Sequence, residues 1–200
     1  MLWTLLLAAN LSAAAPPEPP PDAHAAVFLR GVVESWDDAN IGGLYRTGAF
    51  ASGVGVHVPI PVVPWLSLDV EAAYRRMASR DGLDAQFEMI PVSFIGEATF
   101  TPANPNTDLF AGLGPSWTTF TERHPSNPGS TLIRGARPGV ELRAGGRVNT
   151  GLVQQRSASV PQGLHAIELE IYGARRFQRP GVVGFQLGAW RAGLGIGFRL

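Results

Sequence analysis

Few residues of this 200-residue chain stand at spacings that chemistry could use. Two carboxylate pairs, Asp69/Glu71 and Glu168/Glu170, are each two residues apart. On a strand that spacing puts both groups on one face, as an acid/base pair or a cation site requires. His124-Pro125-Ser126-Asn127 places an imidazole two residues before a hydroxyl, the pairing that a base-activated serine uses. Pro125, Pro128 and Gly129 set that stretch in a turn-rich loop, and no placed acid follows it. His57 and His165 stand alone, without metal-ligand spacing. The chain has no cysteine, so it has no disulfide and no thiolate metal site. Nothing here requires a cofactor.

The elements that carry these residues read as strands, because apolar and polar residues alternate with period two. The first strand is near Ala26–Ser35 and the second near Gly43–Val58. The third, Trp65–Met77, is the clearest: Leu66, Leu68, Val70, Ala72 and Tyr74 oppose Ser67, Asp69, Glu71, Ala73 and Arg75. The fourth spans about Gln86–Thr101, the fifth Leu109–Thr121, the sixth Ile133–Ala144 and the seventh Leu164–Phe177. The last runs from Gly181 to Leu200, and its parity slips at Gly188, which predicts a bulge there. Gly145–Gly163 is weakly patterned. Pro59–Pro64 and Pro102–Asn106 cannot continue a ladder and form short turns. The other connections, near Trp36–Asn40, Ser79–Asp84 and Glu122–Thr131, are longer and more polar.

Formal charge is zero, which argues against a nucleic-acid partner. All sixteen basic residues are arginine. No run is long and apolar enough for a transmembrane helix. The start is apolar but short: Leu2, Trp3, Leu5, Leu6 and Leu7 lead to small residues at Ser12–Ala15, as a secretory signal peptide would. Cleavage is expected after Ala14, with Ala15 and Ala25 as alternatives. Pro16 to Asp22 is then an extended tether. The expected division is residues 1–25 as signal and tether, and 26–200 as the barrel.

Eight alternating strands fit two all-β barrels. A soluble secreted ligand-binding barrel turns its apolar face inward. A transmembrane barrel turns it to lipid and keeps its charges inside. Glycine concentrates on the charged face (Gly53, Gly55, Gly112, Gly114, Gly139, Gly193, Gly195, Gly197), where a narrow lumen holding long arginines needs missing side chains. Aromatics (Trp65, Tyr74, Phe100, Trp117, Phe198) mark strand ends on the apolar face, like interfacial girdles. A lipid-facing arginine costs roughly 2–4 kcal/mol at the midplane. A one-residue slip in the third strand would send Asp69, Glu71 and Arg75 into lipid together. The lumen charges expected from this register are Arg30, Glu34, Asp69, Glu71, Arg75, Glu97, Arg137, Glu141, Arg143, Glu168, Glu170 and Arg191. They would form an interior salt-bridge network in an eight-stranded antiparallel up-and-down transmembrane β-barrel.

In this arrangement the chain resembles the small eight-stranded outer-membrane barrels of the OmpA-like, OmpW-like and opacity-protein type. The likeness is carried by Leu66–Arg75, by Ile90-Pro91-Val92, by Leu109–Gly114, by Pro138–Arg143 and by the ending. It implies a bacterial outer-membrane location, contact with outer-membrane lipid and lipopolysaccharide, a monomer, and a non-enzymatic structural, adhesive or loop-binding role. The ending resembles the signal read by the barrel-assembly machinery, in Gly195, Phe198 and Leu200. Leu200 stands where an aromatic is usual, and Gly193 where a polar residue is usual. His124 and Ser126 resemble the catalytic pair of the lipid A deacylases, which implies the alternative of a lipid A-modifying enzyme.

Overall fold

The computed structural model describes residues 25–45, 50–80, 85–102, 106–123, 133–150, 166–178 and 186–200. The strands are β1 (Ala26–Trp36), β2 (Ala51–Pro59), β3 (Leu66–Ala78), β4 (Gln86–Phe100), β5 (Thr107–Arg123), β6 (Ile133–Asn149), β7 (Ala166–Gln178) and β8 (Ala189–Arg199). Each pairs antiparallel with the next, and β8 pairs with β1 to close the barrel. Closure leaves no strand edge to be satisfied by water, which a lipid-immersed sheet requires. Among the described residues no helix is long and apolar enough to cross a membrane. The signal-peptide segment, His124, Ser126 and His165 lie outside the described residues.

Ala25 and Leu200 meet at one end of the barrel, the end at which β2 leads to β3, β4 to β5 and β6 to β7. The opposite end, from which β1 leads to β2, β3 to β4, β5 to β6 and β7 to β8, is the loop end. The turn after β2 is held by Ile60 N–H to the Leu66 carbonyl and Val63 N–H to the Ile60 carbonyl, both 2.9 Å. The 150–165 connection departs from the rule of short turns at the terminus end.

Register follows the alternation. Leu29, Val54, Leu68, Ile90, Phe94, Leu113, Leu142, Ile171 and Leu194 all face outward and are exposed. Phe50, Phe177 and Trp190 flank this belt at the loop end, and Trp65 and Phe100 flank it at the terminus end. An apolar surface that encircles the molecule exceeds what water tolerates on a monomer. The inward face is charged, so the register is that of a membrane barrel. The soluble barrel with an apolar interior is overturned by it. Two glycines show why the inward face needs them. A Cβ on Gly55 would sit 2.2 Å from Arg30 Nη1, and one on Gly193 would sit 2.3 Å from the Tyr172 ring.

Three expectations change. The second strand begins at Ala51, not near Gly43, because 39–44 coils into a short helix, α1 (Ala39–Leu44). Its Ile41 is buried at the barrel mouth. The sixth strand runs on to Asn149 and takes in the start of the weakly patterned stretch. No bulge interrupts the last strand. Pairing to both neighbours is continuous from Ala189, and Gly188 precedes the strand, its carbonyl accepting the Asp37 N–H at 2.9 Å. The parity slip is therefore the boundary between connection and strand.

The belt makes a depth-dependent prediction. Leu194→Arg, in the middle of β8 and facing out, is expected to cost about 2–4 kcal/mol when folding into bilayers is followed by urea titration. Ser35→Arg, near the loop end, is expected to cost about 0–1 kcal/mol. Equal costs at the two positions would rule out this placement of the belt.

Candidate functional site

Among the described residues the lumen gathers most of the sequence-distant ion pairs, while Arg175 and Asp37 pair outside it at 2.6 Å. Strand twist and closure bring Arg30 of β1, Asp69 and Glu71 of β3, and Glu170 of β7 together at the axis. Arg30 Nη2 and Nη1 grip Asp69 at 2.7 and 2.8 Å, and its Nε donates to Glu170 at 2.7 Å. Arg147 joins Glu170 at 2.8 Å to Glu97 at 2.6 Å. Arg143 bridges Asp69 and Glu71, both at 2.8 Å, and reaches Glu141 at 3.0 Å. Arg191 links Glu71 at 2.6 Å to Glu141 at 2.8 Å, and Arg176 adds a bond to Glu141 at 3.1 Å. Glu34 lies 2.8 Å from Arg191 Nε and 3.3 Å from Arg75 Nη1. The result is one connected column of six arginines (30, 75, 143, 147, 176, 191) and six carboxylates (34, 69, 71, 97, 141, 170), all buried.

Aromatic faces line the column. Arg143 lies over Tyr172 at 4.6 Å and Arg147 over Phe110 at 4.1 Å, close enough for cation–π attraction. Tyr172 also donates to Glu71 at 3.2 Å. Ser93 donates to Glu141 at 3.0 Å. At the loop end of the lumen apolar side chains pack together, among them Ile41, Met77, Phe87, Met89 and Leu187. Phe87 stacks on Phe120 with centroids 5.7 Å apart. The Tyr45 hydroxyl donates to Glu122 there. Burial, aided by Glu122, holds that hydroxyl well above the usual phenol range, so it stays a neutral donor.

Ten of the twelve anticipated lumen charges stand in this column. Glu168 is buried too, but it pairs with Arg199 near the terminus end. Arg137 is only half-buried, with its guanidinium 5.5 Å over the Phe120 ring. Arg147, Arg176 and Glu122 were not anticipated. Parity carried Arg176, which is in step with Glu170, and Arg147, in step with Arg143. The assigned strand ends, Ala144 and Thr121, left Arg147 and Glu122 outside.

His57 is not isolated. It pairs directly with Asp69 across β2 and β3, and Glu97 of β4 comes to 3.6 Å from its Nδ1. These three offer ligand atoms all within 4.8 Å of one another. The Asp69 oxygens are held by Arg30 and Arg143, and Glu97 by Arg147. A metal ion would have to displace guanidinium partners, so the donor set fits ion pairing better than coordination. The carboxylates of both pairs, Asp69/Glu71 and Glu168/Glu170, each have an arginine partner, Arg199 in the case of Glu168.

No family model and no curated protein matches the chain. Among solved structures the chain is similar to Neisserial surface protein A, at 12% identity over 88% of this chain and 95% of that one, with a TM-score of 0.53. It is also similar to Ail, the attachment invasion locus protein of Yersinia pestis, in complex with the heparin analogue sucrose octasulfate. That match has 9% identity over 88% of this chain and 97% of that one, with a TM-score of 0.53. At such identities the likeness is one of fold. The chain has the fold of the small eight-stranded outer-membrane barrels.

Glu141 is the test of the column, because three guanidiniums share it. Glu141→Leu is expected to lower stability by about 3–5 kcal/mol in urea unfolding, since it takes a shared partner from Arg143 and Arg191 and leaves Arg176 without its hydrogen-bonded carboxylate. Glu88→Gln, in a looser pair on the outer face, is expected to cost less than about 1 kcal/mol.

Proposed function

We propose that the protein is a non-enzymatic outer-membrane barrel whose lumen is plugged by a charge network and passes no steady ion current, and whose work is done at its surface, through loops and rim. One observation carries this reading: an apolar outer belt surrounds an interior filled by a continuous ion-pair column and capped by packed side chains. An interior with no unpaired carboxylate couple gives no reaction a place to run. Export follows from a cleaved signal within residues 1–25. Gly195, Phe198 and Leu200 serve as the insertion signal for the assembly machinery. Phe198 faces outward beside Val27 and Ile167, where such a signal can be read before closure.

The partners proposed are outer-membrane lipid and lipopolysaccharide, with the barrel acting as a monomer. Arg76, Arg123 and Arg134 are exposed at the loop end of β3, β5 and β6, with Glu88 of β4 the acid among them, 3.8 Å from Arg76 and 4.0 Å from Arg123. Net positive charge just beyond the apolar belt suits phosphate-bearing headgroups. The likeness to Ail, a protein of attachment and invasion, supports an adhesive role in fold only.

Cell fractionation tests the location. The protein is expected in the outer membrane as a band whose gel mobility changes on boiling; a soluble periplasmic band that boiling leaves unchanged would overturn it. In planar bilayers the purified barrel is expected to show no steady conductance, and a regular open level would refute the plugged lumen. Cells carrying Ser126→Ala are expected to keep an unchanged lipid A acylation profile. A profile that loses a deacylated species would establish the enzyme instead.

A further inference from the structure

The ion-pair column is not uniform along its axis. At the loop-side half, Glu34 is shared by Arg75, Arg176 and Arg191, Glu141 by Arg143, Arg176 and Arg191, and Glu71 by Arg30, Arg143 and Arg191. At the terminus-side half, Glu97 has only Arg147 as a guanidinium partner, while Asp69 and Glu170 have two each. Taken alone, the cluster of Arg75, Arg176 and Arg191 around Glu34 and Glu141 holds one more cation than anion, although the column as a whole balances, and under the apolar cap water screens little of it.

Arg75 shows the excess most plainly. Its side chain is 1% exposed, yet none of its three nitrogens makes a hydrogen bond. Its nearest acid is Glu34, 3.3 Å from Nη1 without hydrogen-bond alignment, and its guanidinium lies 5.5 Å from the Trp36 ring. Arg176 Nη1 and Arg191 Nε also point at Glu34, 3.5 and 2.8 Å from its Oε1, without hydrogen-bond alignment. Three guanidiniums thus converge on one carboxylate, and Arg75 has donors to spare. A buried guanidinium left in this state is costly, and a second negative group satisfies both its donors and its charge. Neutral water satisfies only the donors.

We propose that the loop-side half of the lumen binds one small monovalent anion, with the size and charge of chloride, between Arg75, Arg176 and Arg191. The anion completes the column as an internal counter-charge. Gluconate, a much larger anion, serves as the control. The site depends on the lumen geometry alone, so its failure would leave the outer-membrane reading untouched.

The experiment uses the folded full chain in detergent micelles, at fixed pH and ionic strength, with sodium chloride exchanged for sodium gluconate. The thermal midpoint of the heat-modifiable band is expected to rise with chloride along a saturating one-site curve, by roughly 2–4 °C at saturation. Arg75→Met removes the excess charge while keeping the apolar stem, and is expected to abolish the dependence. An unchanged midpoint in the wild type, or the same dependence in Arg75→Met, overturns the proposal. Should Arg75→Met not fold, bromide-soaked wild-type crystals decide. An anomalous peak among the three guanidiniums supports the site, and its absence at saturating bromide refutes it.

Discussion

A charge that points into an eight-stranded barrel must find its counter-charge inside that barrel. The outer face meets hydrocarbon, and the interior is only wide enough for side chains. Lost hydration cannot be replaced by solvent, so it has to be replaced by geometry. Most of the other features follow from this constraint. Arginine suits it better than lysine would, because its planar fork engages two carboxylates at once. Arg30 does this with Asp69 and Glu170, and Arg147 with Glu97 and Glu170. The inward glycines follow as well, since the space beside a strand backbone is where a guanidinium stem has to lie.

The same constraint fixes register from both sides. Sliding one strand by a single residue would move its charges to the lipid and its apolar residues to the axis. The column would lose partners on several strands at once, and the lipid face would gain charged groups at roughly 2–4 kcal/mol per arginine near the midplane. β3 shows this best, since Asp69, Glu71 and Arg75 each hold partners on other strands. Neither face alone would specify the pairing so sharply, because an apolar interior under an apolar exterior would make the two registers nearly equivalent.

Strand count, topology and lumen face were legible in the sequence, because alternation is a local property and each strand repeats it. What was not legible divides into two kinds. Boundaries failed where a pattern weakens: Gly145 and Gly146 blurred the end of β6 and hid Arg147. Helix α1 failed because 39–44 carries too few side chains to show a helical period, and its position depends on the mouth that Ile41 fills. Partnerships belong to the second kind. Arg30 and Glu170 are 140 residues apart, and only the closed sheet makes them neighbours. His57 looked isolated for the same reason: Asp69 and Glu97 reach it from two other strands.

A lumen organised in this way bears on where activity can reside. Catalysis needs a group whose protonation or nucleophilicity is held poised, together with room for a substrate. The column holds its groups in the opposite condition. Each carboxylate is engaged by one or more guanidiniums. Exchanging those interactions for a substrate would first cost the ion pairs that hold the strands in register. The outer surface carries no such penalty. The rim arginines stand on the outer face of β3, β5 and β6, away from the column. They are free to vary in recognition while the barrel stays the same, so selection for binding can act on them without disturbing the fold.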